Sequence, residues 1–252
     1  MSVKTGVKVF DDLFGGYEPA VITEFFGQSG VGKTTMSAYV PIGMMFQSTP
    51  GDMVVFDGDG GFDRERAMEI WKHMGLAPNE VIDRVHLFTP TEFEEQHSLI
   101  KGLDKFVDDS KMDLKLVVAD AMTAIYRGIM LRTEPQFRMV RTGTYTGKLD
   151  LELAALRHVA VKRNCPVIVT TWSGSQVGHA MGGDSECPMI GGRAFSFVPK
   201  VIVELRRSDE LDNYLPRVVR EAVVYKHRGM PPGRKCLFEI YDGGVREFGV
   251  IR

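Results

Sequence analysis

One stretch of the chain decides its fold, VITEFFGQSGVGKTT at residues 21–35. The mostly apolar run 21–26 predicts a buried strand. The next eight residues fit the pattern G-x-x-x-x-G-K-[ST] and open a helix predicted over residues 33–46. Because such glycines let backbone N–H groups curl around an anion at a helix N-terminus, the stretch predicts a phosphate-binding loop. The residues expected to contact the ligand are Gly27, Gln28, Ser29, Gly30, Val31, Gly32, Lys33, Thr34 and Thr35.

Two side chains of this loop have specific expected roles. In loops of this pattern the lysine, here Lys33, reaches the β- and γ-phosphates, and the hydroxyl of Thr34 ligates Mg²⁺. A second metal ligand is needed from a neighbouring strand end, and Asp120 directly follows the apolar run 116–119. Asp113 precedes that strand, which puts it at the wrong end of the sheet. The sequence therefore predicts an ATP and Mg²⁺ site with Thr34 and Asp120 as metal ligands, the alternative being that Asp120 only caps a turn.

Hydrolysis also requires a group that orients or deprotonates water. Asp57 and Asp59 follow the strand predicted at residues 53–57, and Asp59 stands between glycines. We expect Asp59 to face the γ-phosphate. Because its side chain is one methylene shorter than that of Glu, we expect slow turnover. The alternative is that residues 57–61 form only a turn.

Composition limits the other possibilities. The chain has 252 residues and a net charge of −2, so no global positive field draws it to nucleic acid or to anionic membranes. Its three cysteines, Cys165, Cys187 and Cys236, have no metal-ligand spacing, which favours reduced thiols in the cytoplasm. Residues 1–6 contain no apolar signal core, and no apolar run is long enough to span a membrane. One domain over residues 1–252 is expected.

Short β-branched runs alternate with helix-length segments, which predicts an α/β fold with a mostly parallel, twisted sheet flanked by helices. Thr91 and Glu94 suggest a capping box before a helix that runs to about residue 109. A stripe of Leu and Ala residues predicts another helix over residues 149–163. The last three predicted strands have no helices between them, so we expect a few antiparallel strands at the C-terminal edge. The predicted strands after the first are 53–57, 85–88, 116–120, 166–171, 201–205, 218–226 and 236–240.

Lys226 and Arg228 lie two residues apart at the end of a predicted strand, so both side chains point to one face. Such a pair is suited to reaching the ATP site of a neighbouring subunit, where cations of this kind raise turnover. We therefore expect a homo-oligomer with ATP at its interfaces. A solvated strand end is the alternative.

The most basic stretch of the chain lies between residues 127 and 148, and residues 142–147 inside it resemble a mobile loop. Aromatic residues beside cations suit single-stranded DNA, because bases stack on their rings. A second glycine-rich loop follows at residues 174–185. A solvated or subunit-facing surface is the alternative for the basic stretch. The candidate DNA-binding residues are Arg138, Arg141, Tyr145, Lys148 and His179.

Several motifs together resemble the ATPase core of the RecA/RadA recombinase family. They are residues 5–16 (TGVKVFDDLFGG), the phosphate-binding loop, and residues 54–57 (VVFD) followed by Phe62 and Glu65-Arg66. Residues 116–127 (LVVADAMTAIYR), 190–193 (IGGR) and 226–233 (KHRGMPPG) are similar to the short archaeal RadB-like branch of that family. The resemblance covers nearly the whole chain.

The resemblance implies a RecA-type P-loop core without an N-terminal helix-hairpin-helix domain. It also implies an accessory role in homologous recombination and DNA repair, with ATP binding, DNA binding and weak ATPase activity. Lys226 and Arg228 would then act at the ATP site of a neighbouring subunit. The two loops would bind DNA. Partner recombination or repair proteins are possible in such a role.

Two positions depart from the family pattern. Asp59 stands where the family has Glu, and residues 170–173 read Thr-Thr-Trp-Ser where the family has Thr-Asn-Gln-Val. In the family that Gln senses the γ-phosphate, whereas the indole of Trp172 can only donate a hydrogen bond. Gln176 would replace it only in a remodelled loop. A KaiC-like nucleotide-switched regulator or a catalytically silent scaffold therefore remain alternatives.

Overall fold

A computed structural model describes residues 2–174, 189–208 and 219–248. Within these ranges one sheet has the order β3-β2-β4-β5-β1-β6-β7-β8-β9. Its strands are β1 (Ile22–Gly27), β2 (Asp52–Asp57), β3 (Val85–Phe88), β4 (Leu114–Asp120), β5 (Val167–Trp172), β6 (Val201–Arg207), β7 (Val219–His227), β8 (Lys235–Tyr241) and β9 (Gly244–Glu247).

The helices lie on both faces of this sheet. Over the described ranges they are α1 (Lys8–Phe14), α2 (Val40–Ser48), α3 (Arg64–His73), α4 (Pro78–Ile82), α5 (Phe93–Asp109), α6 (Ala124–Arg132), α7 (Pro135–Arg163) and α8 (Ala194–Phe197), with a π-helical turn at Thr35–Tyr39 before α2. None of these helices combines the length and the apolar character needed to span a bilayer.

The predicted fold class is confirmed. All pairings from β3 to β6 are parallel, and β7, β8 and β9 continue the sheet in antiparallel fashion. The parallel strands are buried on both faces, which is why they read as nearly continuous apolar runs. Because the carboxyl ends of the parallel strands meet at one edge, the residues that follow β1, β2 and β4 are brought together there.

Alternate residues of each central strand pack into two separate hydrophobic cores, one on each face of the sheet. Phe25 of β1 and Val55 of β2 face the core beneath α1, α2 and α3, while Phe26 and Val54 face the core beneath α5 and α7. This alternation is the period of two expected of a strand. The sheet is therefore held from both faces, which fixes the strand ends at which the candidate site lies.

The prediction of a loop at residues 142–147 is wrong, because this segment lies inside the continuous helix α7. The two glycines there, Gly143 and Gly147, each cost a helix about 1 kcal/mol relative to Ala. Tertiary contacts offset that cost. The ring of Tyr145 packs edge-on against Phe93 of α5, with centroids 4.8 Å apart, and Leu149 is fully buried one turn later.

The predicted capping box at the start of α5 is also wrong. The helix begins at Phe93, and Glu95, not Glu94, accepts a 2.9 Å hydrogen bond from the backbone N–H of Thr91. Glu94 forms an ion pair with Lys148 of α7. Glu94, which the capping-box pattern assigns to the N-terminus of α5, therefore links α5 to α7 instead.

A buried polar contact joins α5 to α7. The side-chain amide of Gln96 donates to Glu152 at 2.8 Å and to the carbonyl oxygen of Met122 at 3.1 Å. His97 lies 3.1 Å from the other oxygen of Glu152. Burial raises the pKa of Glu152 to about 7, against the lowering effect of the Gln96 hydrogen bond. The carboxyl is therefore held partly protonated near neutral pH.

Replacing Glu152 with Gln should remove a pH dependence of stability. A carboxyl whose pKa is raised in the folded state stabilises below its unfolded value of 4.5 and loses that contribution as pH rises to about 7. By linkage the loss is on the order of 3 kcal/mol. Glu152→Gln should therefore match the wild type at pH 5 and exceed its free energy of unfolding at pH 8, measured by urea denaturation.

The matched control is Glu65→Gln at an exposed position of α3, which should follow the wild-type profile. Other buried carboxyls contribute equally to wild type and variants, so the difference isolates Glu152. Parallel pH profiles for wild type and Glu152→Gln would show that this carboxyl is ionised throughout.

Candidate functional site

Six of the nine predicted phosphate-binding residues line one cleft at the carboxyl edge of the sheet, and Gly27, Gln28 and Val31 are not among its lining residues. Its volume is about 360 Å³. The loop after β1 forms one wall, and Asp120 at the end of β4 forms another, with β5 between these two strands. The lining residues are Ser29, Gly30, Gly32, Lys33, Thr34, Thr35, Asp59, Gly61, Asp120, Trp172 and Ile240.

Two glycines of the loop are required by the geometry. A Cβ on Gly27 would lie 2.1 Å from the carbonyl oxygen of Leu205 in β6, so the backbone passes too close for any side chain. Gly32 has a φ of +96°, and a Cβ there would meet Ile240 of β8 at 2.6 Å. The pattern therefore has a physical basis in the packing of β6 and β8 against the loop.

Lys33 is bound by its own loop. Its Nζ donates to the carbonyl oxygens of Gly27 at 3.1 Å and Gln28 at 2.8 Å. Burial lowers the pKa of Lys33, whereas the negative charges of Asp120 and Asp59 raise it. An anionic ligand in the cleft would offer this buried ammonium group stronger partners than two carbonyl oxygens.

Thr34 and Asp120 are brought together as predicted. The carboxylate of Asp120 accepts a hydrogen bond from the hydroxyl of Thr170 in β5, and the hydroxyl of Thr34 lies near enough to lower its pKa. Burial raises the pKa of Asp120, while the two hydroxyls and the charge of Lys33 lower it. A hydroxyl and a carboxylate side by side are the hard oxygen ligands that Mg²⁺ prefers, so the residues fit the metal.

The structure separates the two acids at the end of β2, Asp57 and Asp59. Both oxygens of Asp57 accept backbone hydrogen bonds, from the N–H of Gly61 at 2.9 Å and of Phe62 at 3.0 Å. Tyr39 supports the same turn, since its hydroxyl donates to the carbonyl of Gly61 and accepts from the N–H of Asp63. Asp57 therefore shapes the turn.

Asp59, in contrast, lines the cleft. One of its oxygens accepts a 3.1 Å hydrogen bond from the N–H of Gly61, which turns the side chain back toward its own loop. Burial raises the pKa of Asp59, and the charges of Asp120 and Asp57 raise it further. The carboxyl is thus in a setting that favours proton uptake.

Trp172, at the end of β5, contacts two cations. Its ring centroid lies 5.2 Å from Nζ of Lys33 and 4.5 Å from Cζ of Arg127 in α6. The sequence identifies Trp172 as a departure from the family and includes Arg127 only in a basic stretch. No local pattern predicts their contact, because it depends on α6 folding back over the end of β5.

Lys226 and Arg228 lie away from the chain's own cleft. In the sheet register Lys226 lies opposite Ile202 of β6, and Ile202 lies opposite Glu24 of β1. Glu24 is three residues before Gly27, so Lys226 is level with a point about 10 Å from Gly27 toward the amino edge of the sheet. A role of Lys226 at the ATP site of another subunit stays a prediction.

Both cations also have contacts within the chain. Arg228 pairs with Glu18. Nζ of Lys226 donates to the carbonyl oxygens of Ser196, Phe197 and Pro199 at 2.8–3.1 Å. A role in trans would require the two side chains to exchange these partners for phosphate.

The candidate DNA-binding residues on α7 fall into two groups. Arg138 and Arg141 lie near the turn between α6 and α7. Arg138 donates through one nitrogen to the backbone carbonyl of Thr133, and Arg141 donates through one nitrogen to the hydroxyl of Thr133. Tyr145 and Lys148 instead hold α7 on α5, through the ring of Phe93 and the carboxylate of Glu94. His179 lies outside the described residues. Exposed Phe137, Met139 and Val140 accompany the two arginines.

Comparisons with known proteins agree with this geometry. A family model described as Rad51 matches residues 1–248. The DNA repair and recombination protein RadB of Thermococcus onnurineus (strain NA1) is 33% identical over 246 residues, 97% of each chain. RadB of Thermococcus kodakarensis is 33% identical over 247 residues, 97% of this chain and 99% of the relative.

Among solved structures, the crystal structure of the RadB recombinase aligns with a TM-score of 0.74 and 29% identity. The alignment covers 98% of this chain and 100% of that one. The chain therefore belongs to the Rad51 family and is a RadB-like member of the RecA/RadA recombinases.

Proposed function

We propose that this chain is an ATP- and DNA-binding accessory protein of homologous recombination and DNA repair, with weak Mg²⁺-dependent ATPase activity. The observation that carries the proposal is that Thr34, Asp120 and Lys33 line one cleft, beside a loop whose Gly27 and Gly32 leave no room for a side chain. Membership of the Rad51 family and the printed function of the RadB relatives support the recombination role.

Different residues of the cleft bind the phosphates, hold the metal ion and orient the water molecule. Lys33 exchanges its two carbonyl partners for the β- and γ-phosphate oxygens, and the loop N–H groups bind the same phosphates. Thr34 and Asp120 hold Mg²⁺, which would neutralise charge on those oxygens. Asp59 orients a water molecule and accepts its proton.

Turnover is expected to be slow for two reasons. Asp59 is short and bonded back to Gly61, so it reaches a water molecule less well than Glu would. The cations proposed to act in trans, Lys226 and Arg228, can complete the site only in an oligomer. We therefore expect ATP to lie between subunits, and isolated chains to be poor ATPases.

Single-stranded DNA binds at the turn between α6 and α7 in this proposal. Arg138 and Arg141 retain guanidinium N–H groups beyond those given to Thr133, and Phe137 beside them is 54% exposed. Exposed aromatic rings and arginines together suit base stacking and phosphate contacts. A nucleotide-switched regulator would bind the nucleotide without DNA, so the DNA assay separates these two functions.

Asp120→Asn should remove the contribution of Mg²⁺ to ATP binding while leaving metal-free binding within about twofold. The amide keeps an acceptor for Thr170 but loses the charge that holds the metal. Calorimetry with and without Mg²⁺ measures the difference. Asp113→Asn, just before the opposite end of β4 and ion-paired with Lys115, is the matched control. Equal Mg²⁺ dependence in both variants would remove Asp120 from the metal site.

Asp59→Asn should lower kcat by at least about 100-fold, the usual contribution of a positioned base, with ATP affinity nearly unchanged. Steady-state phosphate release with and without single-stranded DNA provides the measurement. Asp59→Glu restores the longer side chain and should raise kcat above wild type. Wild-type turnover in Asp59→Asn would assign activation of water to another group.

Changing Arg138 and Arg141 together to Ala should weaken single-stranded DNA binding. It should also flatten the salt dependence by about 0.7 for each phosphate that the variant no longer neutralises. Fluorescence anisotropy of a labelled oligothymidylate over a salt series measures both effects. Arg157 and Lys162, at the far end of α7 and about 24 Å and 32 Å beyond Arg141, supply the control double variant. An unchanged slope for the first pair, or equal weakening in both, would exclude this turn as the DNA site.

A further inference from the structure

A π-helical turn, Thr35–Tyr39, separates the phosphate-binding loop from α2. Turns of this kind are rare and are frequent at functional sites. Pro41 has no N–H, so it cannot donate to the carbonyl oxygen of Met36 in the i→i+5 pattern of a π-helix. The hydroxyl of Tyr17 donates to that oxygen instead, at 2.7 Å. The turn is therefore held by side-chain as well as backbone hydrogen bonds.

Tyr39, the last residue of this turn, reaches the loop that carries Asp59. Its hydroxyl donates to the carbonyl oxygen of Gly61 at 3.3 Å and accepts from the N–H of Asp63 at 2.9 Å. Its ring packs edge-on against Phe62, with the ring centroids 5.4 Å apart. One side chain thus holds three successive residues of that loop against the π-helical turn.

The backbone of Tyr39 is fixed as well. Nε1 of Trp71 in α3 donates to the carbonyl oxygen of Tyr39 at 2.8 Å, and both side chains are buried. Tyr39 is only 4% exposed, and it is not among the residues that line the nucleotide cleft. Any effect of Tyr39 on a bound nucleotide must therefore pass through the residues that it contacts.

Gly61 is the contact that reaches the cleft. Its carbonyl oxygen is bound by Tyr39, while its N–H donates to Asp57 at 2.9 Å and to Asp59 at 3.1 Å. A Cβ on Gly61 would lie 2.8 Å from Oδ1 of Asp59 and 3.9 Å from Oγ1 of Thr34. The place of Gly61 therefore sets how far the carboxylate of Asp59 lies from the phosphate-binding loop.

The short side chain of Asp59 makes this support important. Asp has one side-chain torsion fewer than Glu, so it has less freedom to correct a displacement of its own backbone. A movement of the loop at Gly61 would be passed on directly to the carboxylate. The orientation of Asp59 consequently depends on how firmly the loop is held.

We propose that Tyr39 is a positioning residue for Asp59, acting through Gly61. The inference rests on the proposed function, which assigns to Asp59 the activation of water. Tyr39 lies on the segment that follows Lys33 and Thr34, so it keeps the carboxylate in register with the groups that bind phosphate and metal. It contacts no reacting atom and is therefore not itself a catalytic residue.

The first test is Tyr39→Phe, which removes the hydroxyl and keeps the ring on Phe62. We expect kcat to fall about tenfold, because a small misplacement of a reacting group is costly. The Kd of a non-hydrolysable ATP analogue with Mg²⁺ should stay within about twofold, since the lost interaction serves the chemical step. Single-turnover phosphate release and calorimetry measure the two quantities.

Tyr17→Phe is the matched control. It removes a buried hydroxyl that is hydrogen-bonded to the same π-helical turn, but its partner is the carbonyl of Met36 and not Gly61. Its kcat should stay within about twofold of wild type. If Tyr39→Phe does not fold, Phe62→Leu loosens the same loop from the other side of the ring contact, and it should lower kcat about threefold with unchanged affinity for the analogue.

A double variant separates positioning from a general structural effect. In an Asp59→Asn background the base is already absent, so adding Tyr39→Phe should change kcat by less than about twofold. A residue that only stabilises the fold would lower kcat by the same factor in both backgrounds. Non-additivity of the two substitutions is thus the signature of action through Asp59.

The outcomes distinguish this inference from the proposed function. Wild-type kcat in Tyr39→Phe, an equal loss in Tyr17→Phe, an affinity that weakens as much as kcat falls, or a full loss in the Asp59→Asn background would overturn the role of Tyr39 alone. Failure of the wild type to bind the analogue, or wild-type turnover in Asp59→Asn, would overturn the proposed site and the role of Tyr39 with it.

Discussion

The buried carboxylate of Asp120 is the point on which the candidate site depends. It accepts a hydrogen bond from the hydroxyl of Thr170, in the neighbouring strand β5, and lies beside the hydroxyl of Thr34, after β1. Burial of a charged group costs free energy. The two hydroxyls and the nearby positive charge of Lys33 offset that cost for the carboxylate of Asp120. The parallel order of the central strands is therefore a requirement for placing the loop and this acid at one edge.

The long helix α7 connects that edge to the surface. Its buried end contacts α5 through Glu152 and Gln96, and Gln96 also donates to the carbonyl of Met122, two residues beyond Asp120. Its exposed end carries the two arginines proposed to bind DNA. A helix held near the candidate metal site through Glu152 positions a basic surface more precisely than the mobile loop that the glycines suggest.

Much of the site follows from the sequence because its signals are local. The glycine spacing of the loop, and an apolar strand ending in Asp120, are each read within a few residues. The same locality explains why the loop prediction at residues 142–147 is wrong. Glycines at positions 143 and 147 indicate a loop when read alone, but Tyr145 packing on Phe93 makes that segment helical.

The sequence by itself determined the phosphate-binding loop, its lysine and hydroxyl, and the parallel sheet with antiparallel strands at its end. Only the tertiary structure decided which acid at the end of β2 faces the cleft, because both oxygens of Asp57 accept hydrogen bonds from backbone N–H groups of the turn, whereas Asp59 accepts one such bond and lines the cleft. It also brought Arg127 onto Trp172, residues far apart in the chain. Backbone hydrogen bonds and strand order set these arrangements, and neither leaves a pattern in neighbouring residues.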